Sequence, residues 1–195
     1  LLWGRQSYRW SDVDFGATPV VFTPSGCPTM VAAGNKDGNL YISSAATLAA
    51  GGTPEQTIRL NPVNDYLGAG GVGGTPAYWA AGRKLFVSDA GPGFGTIAGG
   101  IVALSIDAQC RASVTWSRAL GAGGSPNSTP TVAGGVVYVG EGGSGTFRAY
   151  DAQTGTPLWS SPAVGAAAYA APIVARGPSA AAPGRLGRAP ESLKR

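Results

Sequence analysis

The chain has 195 residues, 44% hydrophobic and 12% charged, which is enough apolar character for a core and excludes a disordered chain. Its formal charge of +4 sits at the end: up to Ala175 there are nine Lys or Arg and nine Asp or Glu, and beyond it five basic residues accompany Glu191 alone. A neutral body excludes nucleic-acid binding, the lack of any His excludes a Ser-His-Asp triad and His-ligated zinc, and no apolar run is long enough for a transmembrane segment.

Gly 32 and Pro 15 alternate with short apolar runs, the composition of an all-β protein with many turns. In chain order, Leu2-Trp3 followed by Gly4-Arg5 reads as a strand and turn. Arg5, Arg9, Asp12 and Asp14 interrupt the N-terminus, and no signal peptide is visible. A small residue plus Pro then recurs at Thr18-Pro19, Thr75-Pro76, Thr129-Pro130 and Ala171-Pro172, at spacings of 57, 54 and 42. Each of the first three opens the same series. First comes a short strand: Val20-Val21-Phe22, Ala77-Tyr78-Trp79, Thr131-Val132-Ala133. The second is Met30 to Ala33, Leu85 to Val87, Val136 to Val139. The third is Gly38 to Ser44, Gly99 to Ser105, Gly145 to Asp151. The fourth carries Trp116 and Trp159 in the later repeats, with Ile58 expected in that place in the first.

Four short strands per unit, with no helical period, predict propeller blades. Pro opens a strand where its missing N–H costs no ladder bond. Asp37-Gly38 supplies a tight hairpin, and Asp151 to Gly155 turns the chain before the outer strand. Each Trp is expected to pack between neighbouring blades. The predicted fold class is therefore all-β: a partial β-propeller of about three four-stranded antiparallel blades, open at both ends. Residues 1–10 form the outer strand of a preceding blade, 11–65 blade 1, 66–122 blade 2, 123–165 blade 3, 166–176 the start of a fourth blade, and 177–195 a disordered basic tail. Three blades leave two open edges, for further blades of the same protein or for a protein partner.

Cys27 and Cys110 lack metal-ligand or C-x-x-C spacing. An exported protein would pair them and a cytosolic one would keep them as buried thiols; both readings stay open. Gly68, Gly70, Gly73 and Gly140, Gly142, Gly145 match G-x-G-x-x-G. Strands rather than helices follow both, so neither binds a dinucleotide. Asn127-Ser128-Thr129 matches a glycosylation sequon by pattern alone, with Pro130 next to it.

Thr129 to Trp159 resembles the pyrroloquinoline-quinone (PQQ) propeller repeat. The matching features are the Pro, Gly135 to Gly140, the Gly-x-Phe-x-Ala-Tyr-Asp strand, and Thr154-Gly155 with Trp159 four residues later. Asn35 to Tyr41 matches it in the first repeat. With quinoprotein alcohol dehydrogenases as the comparison, Trp10 to Phe15 is similar to a Trp-Asp-x-Asp stretch, with Ser11 intruding. The resemblance implies Asp12 as catalytic base and Lys36 as the cation on the quinone oxygens, with PQQ and calcium as cofactors of the complete protein. A carboxylate would take the hydroxyl proton while hydride leaves an alcohol or sugar. On the residues alone, Asp12 and Asp14 equally suit a surface turn and Lys36 a solvated hairpin charge. Adjacent cysteines, a feature of that family, are absent, and no calcium site of carboxylate plus amide can be assigned. Two functions follow as expectations: a piece of an exported PQQ-dependent dehydrogenase, or a non-catalytic propeller serving as a scaffold or sensor domain in the periplasm or at the cell exterior. The chain alone is expected to be inactive.

Overall fold

A computed structural model describes residues 14–62, 71–121 and 128–175. The first sheet orders β1 (Val20–Phe22), β2 (Met30–Gly34), β3 (Asn39–Ser44) and β4 (Gln56–Arg59) by successive antiparallel hairpins. The second contains β5 (Ala77–Trp79) and β6 (Lys84–Ser88). A two-stranded hairpin of β7 (Gly93–Phe94) and β8 (Ile97–Ala98) follows, and then β9 (Gly100–Ile106) and β10 (Ala112–Ala119) complete the sheet. The third orders β11 (Thr131–Ala133), β12 (Val136–Gly140), β13 (Phe147–Asp151) and β14 (Pro157–Ser160). Three separate four-stranded sheets, each built from one stretch of chain, make a partial propeller. The inner strands β1, β5 and β11 lie beside one another in turn.

The predicted first strands coincide with β1, β5 and β11. Two elements depart from the reading. Hairpin β7–β8 is inserted in blade 2. A single helical turn, α1 (Ala45–Ala49), follows β3, although no helical period runs there. The reason is local: Ser44 Oγ accepts from the Thr47 N–H at 3.1 Å, a side-chain cap on a five-residue turn too short to show a period.

Two apolar clusters cement the blades. Phe22, Leu40 and Ile42 of blade 1 pack with Leu85, Val87, Val102 and Leu104 of blade 2. Phe86, Ile101 and Trp116 of blade 2 pack with Val137, Val139 and Tyr150 of blade 3. Blade 2 is thus covered on both faces, and all five residues of β6 are buried. That explains a buried Lys84. Its Nζ donates to Ser105 Oγ at 2.9 Å and Thr115 Oγ1 at 3.1 Å, and burial lowers its pKa.

Trp116 sits at the second joint as expected. Its ring lies 5.8 Å from Phe86 and 6.3 Å from Tyr150, and its Nε1–H donates to Ala152 O at 3.3 Å. The joint requires Gly155, which has φ +70°. A Cβ there would fall 2.6 Å from Trp116 Cδ2. Gly155→Ala is expected to cost about 2 kcal/mol in a urea melt, from the left-handed backbone and the overpacked ring.

The first repeat is read differently. Trp116 and Trp159 stand opposite Ala103 and Ala149, and in both sheets the register shifts beside the Trp. The corresponding partner in blade 1 is Ile42, and the residue facing it is Gln56, not Ile58. Ile58 faces Leu40 and packs on the first cluster. Gln56 crosses to blade 2 with two hydrogen bonds. Its amide donates to Ala112 O, and Ala112 N donates to its Oε1 at 2.9 Å. Gln56→Ala leaves both backbone groups without that partner. A loss of about 1–3 kcal/mol in chemical denaturation is expected.

Cys27 and Cys110, open in the sequence, form a disulfide across 83 residues, from the β1–β2 turn of blade 1 to the β9–β10 turn of blade 2. Among the described residues, no helix is long and apolar enough to cross a membrane.

Candidate functional site

Asp12 lies outside the described residues. Lys36 sits in the β2–β3 hairpin, which its neighbours fix. Asn35 Oδ1 accepts from Asp37 N at 2.8 Å, Asp37 Oδ1 accepts from Asn39 N at 2.9 Å, and Tyr41 Oη donates to Asp37 Oδ2 at 2.5 Å. Gly38 takes the left-handed position with φ +85°. This presents Lys36 to Asp14: Nζ lies 2.9 Å from Asp14 Oδ1, and Lys36 N donates to Asp14 O at 3.1 Å. The carboxylate is 65% exposed, so the pair adds at most about 1 kcal/mol. A ligand anion at Lys36 would compete with that carboxylate. Among the described residues, no group of three or more Cys, Asp or Glu could hold a metal ion.

The second strands of the three blades are each followed by a polar residue at one register, namely Asn35, Asp89 and Glu141, all buried. Each ties its own blade to an adjoining segment. Asn35 O accepts from Val72 N at 3.1 Å. Asp89 Oδ1 accepts from Asn61 Nδ2 at 3.0 Å and Gly91 N at 3.1 Å. Glu141 Oε1 accepts from Gly121 N at 3.1 Å and from Arg148 Nε at 2.6 Å. Burial pushes the Asp89 carboxyl up to about 6 against those two hydrogen bonds. Burial also pushes Glu141 upward, but Arg148, Ser144 and the Gly121 N–H outweigh it and hold the carboxyl below its usual range. These carboxylates are knots between blades.

An open apolar face lies on blade 3. At the register of Phe86, Ile101 and Trp116 it carries Tyr138, Phe147 and Trp159. Phe86 and Ile101 are 0% exposed and Trp116 8%, all covered by blade 3. On blade 3 itself Tyr138 and Phe147 are half-buried and Trp159 is 41% exposed. The three line a cavity of about 420 Å³, with Pro172 to Ala175 along its other wall. That segment is held by Thr131 Oγ1, which donates to Pro172 O at 2.7 Å. No strand is assigned at 171–175, within the 166–176 where the sequence places the start of a fourth blade. β14 is exposed throughout, with Leu158 at 52%. The sequence gives Trp159 as a blade-joint residue. Tyr138 and Phe147 escape it because their role follows from register with Phe86 and Ile101, not from a motif.

Three stacked four-stranded sheets with a Trp at the joint and an Asp-x-x-Thr-Gly turn define a PQQ-type repeat propeller. The profile of the family described as outer membrane protein assembly factor BamB matches residues 64–187, and the chain belongs to that PQQ-repeat family. Among solved structures, BamB from Moraxella catarrhalis is similar at 19% identity with a TM-score of 0.49, over 80% of this chain and 39% of that one. A computationally designed protein, Ika8, aligns at 15% identity with a TM-score of 0.26, over 81% of this chain and 64% of that one. The chain thus spans about two fifths of the BamB structure. No curated protein sequence matches it.

Proposed function

We propose that this chain is a three-blade segment of a cell-envelope propeller that works as a protein-interaction scaffold, in outer membrane protein assembly, with the Tyr138–Phe147–Trp159 face as the joint for a further blade of the same protein. The observation that carries it is the repeated register: the same three positions on blade 2 are closed by blade 3, and on blade 3 they frame a cavity. The family description supports the assembly role. The Cys27–Cys110 disulfide suits an oxidising compartment such as the periplasm.

The test is photocrosslinking in the natural cell, with p-benzoylphenylalanine in place of Tyr138. Capture of a further PQQ-type repeat within the same polypeptide is the expected product. Capture of an envelope protein instead would move the joint to a partner. A clean absence of any adduct, with the probe confirmed as incorporated, would end the proposal.

The quinoprotein reading is a second proposal, carried by the position of Lys36 just before the Asp37-Gly38 turn. In a ring that completes the site, Lys36 would exchange Asp14 for the quinone oxygens and Asp12 would take the substrate proton. PQQ would supply the hydride acceptor, with calcium at its side. Titrating the complete protein with PQQ and calcium, and following dye reduction by alcohols or sugars, decides it; no binding at micromolar quinone rejects it.

A further inference from the structure

Two described residues other than glycine have a left-handed backbone, Arg83 at φ +50° and Cys110 at φ +62°. Such a conformation costs an L-residue free energy, and it tends to persist where it serves a function. Both have glycine counterparts in blade 3. Gly135 precedes β12 as Arg83 precedes β6, and it has φ +78°. Gly155 closes the Asp151 turn as Cys110 closes the Asp107 turn, with N–H donated back to the aspartate carbonyl in each. Blade 2 thus carries an arginine and a cysteine at two positions where glycine is the unstrained choice.

The two meet at one point. The Arg83 guanidinium donates to Ile106 O at 3.0 Å, to Asp107 O at 2.6 Å and to Ser25 O across the blade joint. Its Nη2 lies 3.6 Å from Cys27 Sγ, the sulfur bonded to Cys110. Both cysteines are only partly buried. A partly exposed disulfide, with one cysteine on a left-handed backbone and a hydrogen-bonded cation beside one sulfur, has the chemistry of an exchangeable bond rather than an inert staple.

We infer that Cys27–Cys110 is a thiol–disulfide exchange site at the blade 1–blade 2 joint, opened in the folded protein by a dithiol reductant. A thiolate of the dithiol attacks Cys110 Sγ. The bonding pair of the disulfide leaves on Cys27 Sγ as a thiolate, which the Arg83 charge stabilises. The second sulfur of the dithiol then attacks its own partner in the mixed disulfide and releases Cys110. Two electrons pass from the dithiol, which becomes a disulfide, and its two protons pass to the cysteines or to water. Attack falls on Cys110 because Arg83 and the Asp107 carbonyl, 4.0 Å away, crowd Cys27 Sγ.

The oxidised chain is treated with dithiothreitol without denaturant, alkylated, and read by mass spectrometry beside far-ultraviolet circular dichroism. Both thiols are expected to be alkylated while the strand signal persists. With limiting glutathione, the mixed disulfide is expected on Cys110. Arg83→Gln is expected to slow reduction about three- to tenfold, since leaving sulfurs depart faster when their thiolate is stabilised. In Cys110→Ser, the Cys27 thiol is expected to ionise below the ordinary cysteine range. Thiols that appear only in denaturant, a glutathione adduct confined to Cys27, or an Arg83→Gln chain that melts earlier but is reduced at the unaltered rate would each overturn the inference. The adduct mapping needs no substitution, so a poorly folding variant leaves the test intact.

Discussion

Trp116→Ala is expected to cost about 3–5 kcal/mol, and Trp159→Ala less than about 1 kcal/mol. The pair forms a controlled comparison, because both indoles occupy one register position on successive blades. At Trp116 the ring is enclosed by Phe86, Tyr150 and the Gly155 turn, and its N–H serves the Ala152 carbonyl. Truncation there removes a large buried surface, opens a cavity at the joint and strands that carbonyl. At Trp159 two fifths of the residue already meets solvent, so truncation removes little. Urea melts followed by circular dichroism read both. A broadened transition in Trp116→Ala would show blade 3 melting apart from blades 1 and 2, since unfolding would lose its two-state form. Equal losses at the two positions would refute the blade joint described here. In a protein where a further blade covers blade 3, the Trp159 substitution should become as costly as the other.

Stability is also expected to fall as pH rises from about 4 to 7, through Asp89. The ordinary value for this carboxyl is 3.8, and burial lifts it to about 6 in the folded chain. In that window the folded state binds the proton more tightly than the unfolded one, so the stabilising contribution is complete below 3.8 and is lost as pH passes 6. The difference of about two units corresponds to roughly 3 kcal/mol. Glu55 and Glu141 have carboxyls held below their usual range. Their contributions run the other way, present at neutral pH and lost in acid below about 4.5, so the two slopes separate on the pH axis. Asp89→Asn keeps an oxygen for Asn61 and Gly91 and removes the titration. Urea midpoints between pH 4.5 and 7.5 are expected to decline in the parent chain and stay flat in the variant. Parallel curves would mean that Asp89 does not carry the effect.

The strand plan was open to reading because each strand is short and bounded by Pro or Gly. Pro19, Pro76 and Pro130 mark where β1, β5 and β11 begin. What the sequence hides is the geometry between strands. A one-residue irregularity stands beside Trp116 and Trp159 and is lacking in the β3–β4 ladder, which puts Gln56 opposite Ile42, while Ile58, the apolar residue of that strand, stands two places on, opposite Leu40. Cys27 and Cys110 belong to turns of different blades, and only the packing of blade on blade brings their Cα atoms to 5.7 Å. The Lys36 hairpin could be read from Asp37-Gly38, but its partner Asp14 could not, because it comes from the approach to β1. Asp89 and Glu141 belong to no motif; their burial arises from blades closing over strand ends, which has no local signature.

Each sheet is woven from a single uninterrupted stretch, with no strand lent from one blade to the next among the described residues. Duplication or loss of a gene segment of one repeat, 42 to 57 codons by the spacing of the repeated Pro, would therefore lengthen or shorten the array without severing a hydrogen-bonded ladder. The same layout lets a blade knit itself together while the ribosome is still translating its successor, so partly made protein would expose one apolar face at a time.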